Sequence, residues 1–220
     1  LITLIVTEIL HDDMQDLVSR QQLVAASFIA RDVDSKLILR RDSLMRVAEN
    51  IPSALFADPG GMQGWLEDRR AINTLFPTGL MVIPPDGGPT LADTPRLATR
   101  PRSFVDRDWF QDAVAKRGPV FSKPLITRAT GEPALVIAVP VFDDQAKMLG
   151  LLAGVTPLTT SGFLQLIVGA RPSKLGSYQL ISPRHGLQVL GSDLASAITP
   201  LPAKGSDPII DQALAGARGA

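Results

Sequence analysis

Residues 103–118 read SFVDRDWFQDAVAKRG, and residues 123–158 read KPLITRATGEPALVIAVPVFDDQAKMLGLLAGVTPL. In the first stretch Asp106 stands where a helix N-cap belongs, and Lys116, Arg117 and Gly118 suit a helix C-terminus. The pattern predicts a helix over 108–117. Strand-like runs follow at 120–128, 134–142 and 148–155. Thr130-Gly131-Glu132-Pro133 links the first two, and Asp143 to Lys147 links the next two. Consecutive strands with short links make an antiparallel meander, so this region is α+β in class.

Moving outward, residues 148–170 carry no charge, and Gly150 and Gly154 match the GxxxG spacing of membrane helices. Pro157, three threonines, Ser161 and Gly162 cluster at the centre of that window and read as a turn. The expectation is a buried strand over 148–155, a turn, and a short helix over 161–168. Upstream, 61–76 reads as an amphipathic helix with Trp65, Leu66, Ile72, Leu75 and Phe76 on its apolar side. A strand over 79–83 runs into a Pro-Pro-Asp-Gly-Gly turn at 84–88, and 89–102 is loop with one edge strand. Beyond 169, residues 176–182 and 187–191 are strand-like around a turn at 183–186, and 208–217 is a last short helix. Two strands do not readily form an independent domain. Either this unit leans on the first, or its remaining strands lie beyond Ala220.

The chain holds 18 glycines and 18 prolines, yet the first proline is Pro52 and the first glycine Gly60. Apolar positions recur at helical spacing from Leu10 through Val24 and Phe28 to Val47 and Ile51. A continuous helix from Thr3 to Asn50 is expected, roughly 70 Å long at 1.5 Å per residue. Its first ten residues, LITLIVTEIL, are too short to cross a bilayer. They read either as a buried helix end or as the trailing edge of a membrane span. The numbering is expected to begin inside a longer protein.

Across all 220 residues, 22 basic side chains balance 22 acidic ones, which removes a general pull on nucleic acid. Aromatics make up 5%, too few for a stacking platform, so no nucleic-acid partner is expected. With no cysteine there is no disulfide, thiolate nucleophile or Cys-based zinc site. Hydrolase-elbow, phosphate-loop, dinucleotide and HExxH motifs are all missing. His11 and His185 read as exposed, and Asp12-Asp13 and Asp143-Asp144 as solvated pairs. Asp106 and Asp108 start like a calcium loop, but Trp109-Phe110 breaks it. No catalytic residue, metal ligand or cofactor is nominated, and the fragment is not expected to be an enzyme.

The order Asp-Arg-Asp-Trp-Phe, helix, Lys-Pro strand, Thr-Gly turn, Ala-Val-Pro-Val strand and Gly-Leu-Leu-Ala-Gly-Val resembles the double Cache (tandem PAS-like) sensor domains of bacterial transmembrane receptors. The resemblance implies a long stalk helix over 1–51, a membrane-distal Cache module over 52–160 and a partial membrane-proximal module over 161–220, both built on antiparallel sheets. It also implies a periplasmic domain of an inner-membrane protein, tethered by flanking transmembrane helices. The apolar spacing of the helix separately allows a homodimer contact along residues 10–28, although its heptads do not persist. Among family outputs, the RDWF and SPRHGL segments look most like diguanylate cyclase sensors; histidine kinases and chemotaxis receptors are the alternatives. A soluble periplasmic solute-binding protein is the alternative of another class.

In the amino-acid-sensing branch of that family, a Tyr, Arg, Trp and Tyr/Phe motif binds the ligand carboxylate. Arg107, Trp109 and Phe110 match its second half, while the Tyr position falls on Arg102. The next strand's pocket positions fall near Leu125 and Thr127, and the amine-binding Asp of the branch falls near Val155 or Thr156, where no carboxylate stands. A buried ammonium left unpaired costs several kcal/mol. The expectation is therefore a small organic anion rather than an α-amino acid, held by Arg102, Arg107 and Lys123 at one end. Two readings stay open: Arg107 faces the pocket or pairs with Asp106 or Asp112, and Trp109 with Phe110 forms pocket wall or core.

Overall fold

A computed structural model describes residues 2–97, 100–158, 164, 179–190 and 196–216. The chain opens with one unbroken helix of 48 residues, α1 (Ile2–Glu49), about 72 Å long at 1.5 Å per residue. It is followed by α2 (Pro59–Glu67), α3 (Arg70–Leu75), β1 (Gly79–Ile83), β2 (Ala92–Thr94) and α4 (Asp108–Lys116). Then come β3 (Val120–Phe121), β4 (Leu125–Ile126), β5 (Pro133–Phe142) and β6 (Met148–Pro157). The C-terminal part holds β7 (Leu180–Ser182), β8 (Leu187–Leu190), β9 (Ser196–Pro200) and α5 (Pro208–Leu214).

Two antiparallel sheets result. The first has six strands in the order β2-β1-β6-β5-β3, with β4 also pairing β5. The second is β7-β8-β9. Strand periodicity explains how the first sheet is covered on both sides. Ile137, Val139 and Val141 of β5, Leu152 of β6 and Leu80 and Val82 of β1 pack with Leu44 and Ala48 of α1 and with Met62, Leu66 and Phe76. The alternate residues Ala134, Val136, Ala138, Leu151, Ala153 and Val155 pack with Trp109, Phe110 and Ala113 of α4. With both faces buried, β5 and β6 read as nearly continuous apolar runs rather than alternating ones.

Gly150 and Gly154 therefore belong to a strand, and their spacing serves close packing within the molecule. Both lie on the α1-facing side of β6. A Cβ at Gly154 would sit 2.5 Å from the Phe76 ring, and one at Gly150 would sit 2.8 Å from Phe56. No described helix is long and apolar enough to cross a membrane.

Several local expectations shift. The helix expected over 61–76 divides into α2 and α3. Arg69 ends α2: its guanidinium lies 3.2 Å over the Trp65 ring and donates to the Trp65 carbonyl at 2.9 Å. That caps an end carbonyl with a side chain and turns the chain there. The strand expected over 120–128 is interrupted at Ser122, whose hydroxyl accepts the Val136 N–H at 2.9 Å, and at Pro124, which has no N–H to give. Arg107, not Asp106, occupies the N-cap position of α4, because the Asp106 carboxylate is drawn to Arg128. The helix expected over 161–168 and residues 176–178 lie outside the described residues.

The C-terminal unit has a third strand, β9, that the sequence reading did not foresee. Val189 of β8 packs with Leu158, Leu164 and Ile29 of α1, and Val33, Leu37, Leu135 and Leu180 border the same cluster. This sheet leans on α1 and on the first sheet. Asp207 caps α5, accepting from the Ile209 and Ile210 N–H groups at 3.0 and 3.2 Å.

Candidate functional site

The face of the first sheet that carries α4 is not filled along its whole length. Near the start of α4 lies a cavity of about 70 Å³. Leu80 and Met81 of β1, Val136 of β5, Val155 of β6 and Leu125 of β4 form its floor. Phe104, Arg107 and Trp109 form one wall, Thr127 to Thr130 a second, and Asp93, Pro95, Leu97 and Pro101 a third. Leu97, Pro101, Arg128 and Ala129 also line a wider groove of about 840 Å³, bordered by Arg100, Arg102, Asp106 and Gln111. The small apolar cavity thus opens into a charged vestibule.

Of the residues singled out from sequence, Arg107, Trp109, Leu125, Thr127 and Val155 converge on the cavity. Three do not. Arg102 is exposed and lines the outer groove. Phe110 is 5% exposed and packs edge-on to Trp109, with ring centroids 6.4 Å apart, inside the core. Lys123 pairs with Asp108 at 2.5 Å and lines a separate groove with Asp112, Arg184 and His185. One turn of α4 explains the split: residues 107 and 109 flank the cavity end, whereas 108 faces solvent and recruits Lys123.

Trp109 answers both of its readings at once. It is 5% exposed, packs against Phe104 at a centroid separation of 5.8 Å, and still presents a surface to the cavity. Arg107 is half-buried, and among the described residues no carboxylate lies within ion-pair distance of it. Burial pushes its guanidinium below the ordinary arginine value, and the neighbouring Arg128 pushes the same way. Asp106 and Asp108 offset part of this. Asp106 forms a two-pronged pair with Arg128, whose hydrogen bond holds the Asp106 carboxyl below its usual range. That pair ties the Thr127–Thr130 turn to the start of α4 across the cavity mouth.

Two charged cavity residues escaped the sequence reading. Arg128 is one. Asp93 is the other: it is 2% exposed and lies on β2, in the segment read as loop with one edge strand. Its carboxylate accepts from Arg100 and, at 3.0 Å, from the Leu97 N–H. Gln63 of α2 clamps the Asp93 backbone, donating to its carbonyl at 2.7 Å and accepting from its N–H at 3.1 Å. No local signal announces this arrangement, because Gln63 lies 30 residues upstream. Counting the lining charges, Asp93 is answered by Arg100 and Arg128 by Asp106, which leaves Arg107 as a surplus cation.

Comparison by sequence finds no matching family model and no matching curated protein. Comparison by structure does find likeness. The ligand-binding domain of the Pseudomonas aeruginosa amino acid chemoreceptor PctC, in complex with GABA, is 18% identical over 86% of this chain and 83% of that one, with a TM-score of 0.63. The ligand-binding domain of PctB from the same organism, in complex with L-Arg, is 18% identical over 84% and 69%, with a TM-score of 0.64. That of the Pseudomonas fluorescens chemoreceptor CtaA, in complex with L-serine, is 18% identical over 79% and 72%, with a TM-score of 0.60. The fold is that of these Cache-type ligand-binding domains: a long N-terminal helix carrying two antiparallel sheets.

Proposed function

We propose that this chain is the ligand-sensing domain of a transmembrane receptor, exposed outside the cytoplasm, and that its ligand is a small carboxylate. The observation that carries the reading is the surplus Arg107 guanidinium at the wall of an apolar, Trp-lined cavity. A guanidinium offers a planar fork to a carboxylate, and the adjacent start of α4 adds positive potential. The apolar floor leaves room for a short hydrocarbon chain and gives it no polar partner. The neighbours' fold supports the sensor class, and since they are chemoreceptors they favour a chemoreceptor over the diguanylate cyclase output expected from sequence.

Membrane tethering and a homodimer along α1 belong to the same proposal. Val24 and Phe28 are 70% and 62% exposed, an apolar surface that a second copy of the helix would cover.

The test is a thermal-shift panel of short mono- and dicarboxylates on the wild-type chain and on Arg107→Met. A ligand at 100 times its Kd stabilises by about 2.7 kcal/mol, a readily measured rise in Tm. Losing a charge-assisted hydrogen bond should weaken that ligand by roughly tenfold or more. A carboxylate that binds Arg107→Met as well as the wild type would remove the proposed role of Arg107. A panel without any response would reject the carboxylate reading.

A further inference from the structure

The third wall of the cavity holds an acid that is already neutralised. Asp93 is almost wholly buried, and a carboxylate in such a place needs a cation. Arg100 supplies it from the vestibule side, where its own side chain remains 38% exposed. Arg100 also donates to the Gln63 side-chain amide oxygen at 3.1 Å and to the Thr90 backbone carbonyl at 3.4 Å. Arg100 therefore sits at a fixed station, with its guanidinium between Asp93 and solvent. Asp93 lines the cavity and Arg100 lines the groove outside it.

A ligand bearing both a carboxylate and an amine would seat its carboxylate at Arg107. Its ammonium would then need an acid, and Asp93 is the single acid lining the cavity among the described residues. We infer that Arg100 is a specificity-determining residue: it occupies on Asp93 the place a ligand ammonium would take, so the cavity accepts carboxylates and rejects their amino counterparts. This inference rests on the carboxylate reading for its choice of ligands, but its central claim concerns the ammonium alone. To bind, an amine must displace a guanidinium held by three acceptors, or else remain buried and unpaired. The negative element is thus built from a residue that never touches the ligand's carboxylate.

The experiment compares butyrate with 4-aminobutyrate, which differ by one amine. Isothermal titration of both is run on the wild-type chain, Arg100→Gln, Arg100→Lys and Asp93→Asn. Circular dichroism checks the fold of each variant. The wild type should prefer butyrate by about tenfold or more, since an unpaired buried charge is heavily penalised. Arg100→Gln keeps a polar side chain but uncovers Asp93, and should gain affinity for 4-aminobutyrate by at least about tenfold. Arg100→Lys restores a cation and should return to the wild-type preference.

Asp93→Asn guards against a poorly folded Arg100→Gln. It keeps an acceptor for the Leu97 N–H, yet releases Arg100, and should bind succinate about tenfold more tightly than the wild type does. Wild-type protein that binds 4-aminobutyrate as well as butyrate would overturn the inference and leave the sensor reading standing. So would an Arg100→Gln variant with no gain for the amine, or an Asp93→Asn variant indifferent to succinate. If butyrate fails on the wild type while Arg100→Gln still gains 4-aminobutyrate, the carboxylate proposal falls and the role of Arg100 survives.

Discussion

Arg107 and its two neighbours show how adjacent residues divide between site and surface. Asp106 and Asp108 are exposed, and each is claimed by a cation from another segment, Arg128 and Lys123. The hydrogen bond from that cation is the first cause of each lowered carboxyl value. A carboxyl whose pKa is lower folded than unfolded contributes stability above its unfolded value, and loses it as pH falls through the folded one. Tm should therefore be level with respect to these two groups from neutrality down to about pH 5, and should decline below about pH 4. Solvent screening keeps the effect small. In Asp106→Asn the acid decline should be shallower than in the wild type. A Tm-against-pH curve equally steep in both proteins would show that Arg128 does not hold this carboxylate.

Among elements, β6 and α2 offer opposite responses to the same change. Gly154 faces Phe76 so closely that an added methyl would overlap the ring, and Phe76 is 1% exposed with no room to retreat. Gly154→Ala should cost about 1–3 kcal/mol by overpacking. Gly64 of α2 is exposed, and a Cβ there meets nothing within 4 Å. Gly64→Ala should stabilise by roughly 0.4–1 kcal/mol through helix propensity and a less flexible unfolded chain. Urea unfolding of the pair checks both signs, and a stabilised Gly154→Ala would contradict the packing described for β6. What could be read from sequence divides along the same lines. Helix α1 and strands β5 and β6 were legible because a breaker-free run and two long apolar runs are local signals. The division of α2 from α3 was not, since it depends on Arg69 folding back over Trp65. Nor was the placement of Asp93, since a short edge strand without periodicity takes its register from β1 and its clamp from Gln63. The resemblance brought Arg107, Trp109, Leu125, Thr127 and Val155 to one cavity, but it said nothing of the wall that Asp93 and Arg128 build.

At the scale of the whole molecule, α1 packs against both sheets, and Leu135 of β5 joins it in bordering both clusters. Leu44 and Ala48 are buried against the first sheet and α2, while Ile29 is buried against the second. The first contact is broad, and the cavity wall reaches it through Asp93, Gln63 and α2. The second is narrow, and a three-stranded sheet needs such packing to persist. The two sheets should therefore respond differently to damage at the two ends of this contact. Leu44→Ala removes a side chain that is 0% exposed and should destabilise the fold by about 2–5 kcal/mol, accelerating amide exchange in both sheets. Ile29→Ala should accelerate exchange in β8, whose Val189 shares its cluster, and leave Ile137 to Val141 of β5 protected. The buried stretch of α1 that meets the first sheet would then hold while the second sheet loosens. Equal acceleration of both sheets by Ile29→Ala would mean that they unfold as one unit. In that case a shift at the cavity would reach the second sheet through the sheets themselves, and α1 would not be the route between them.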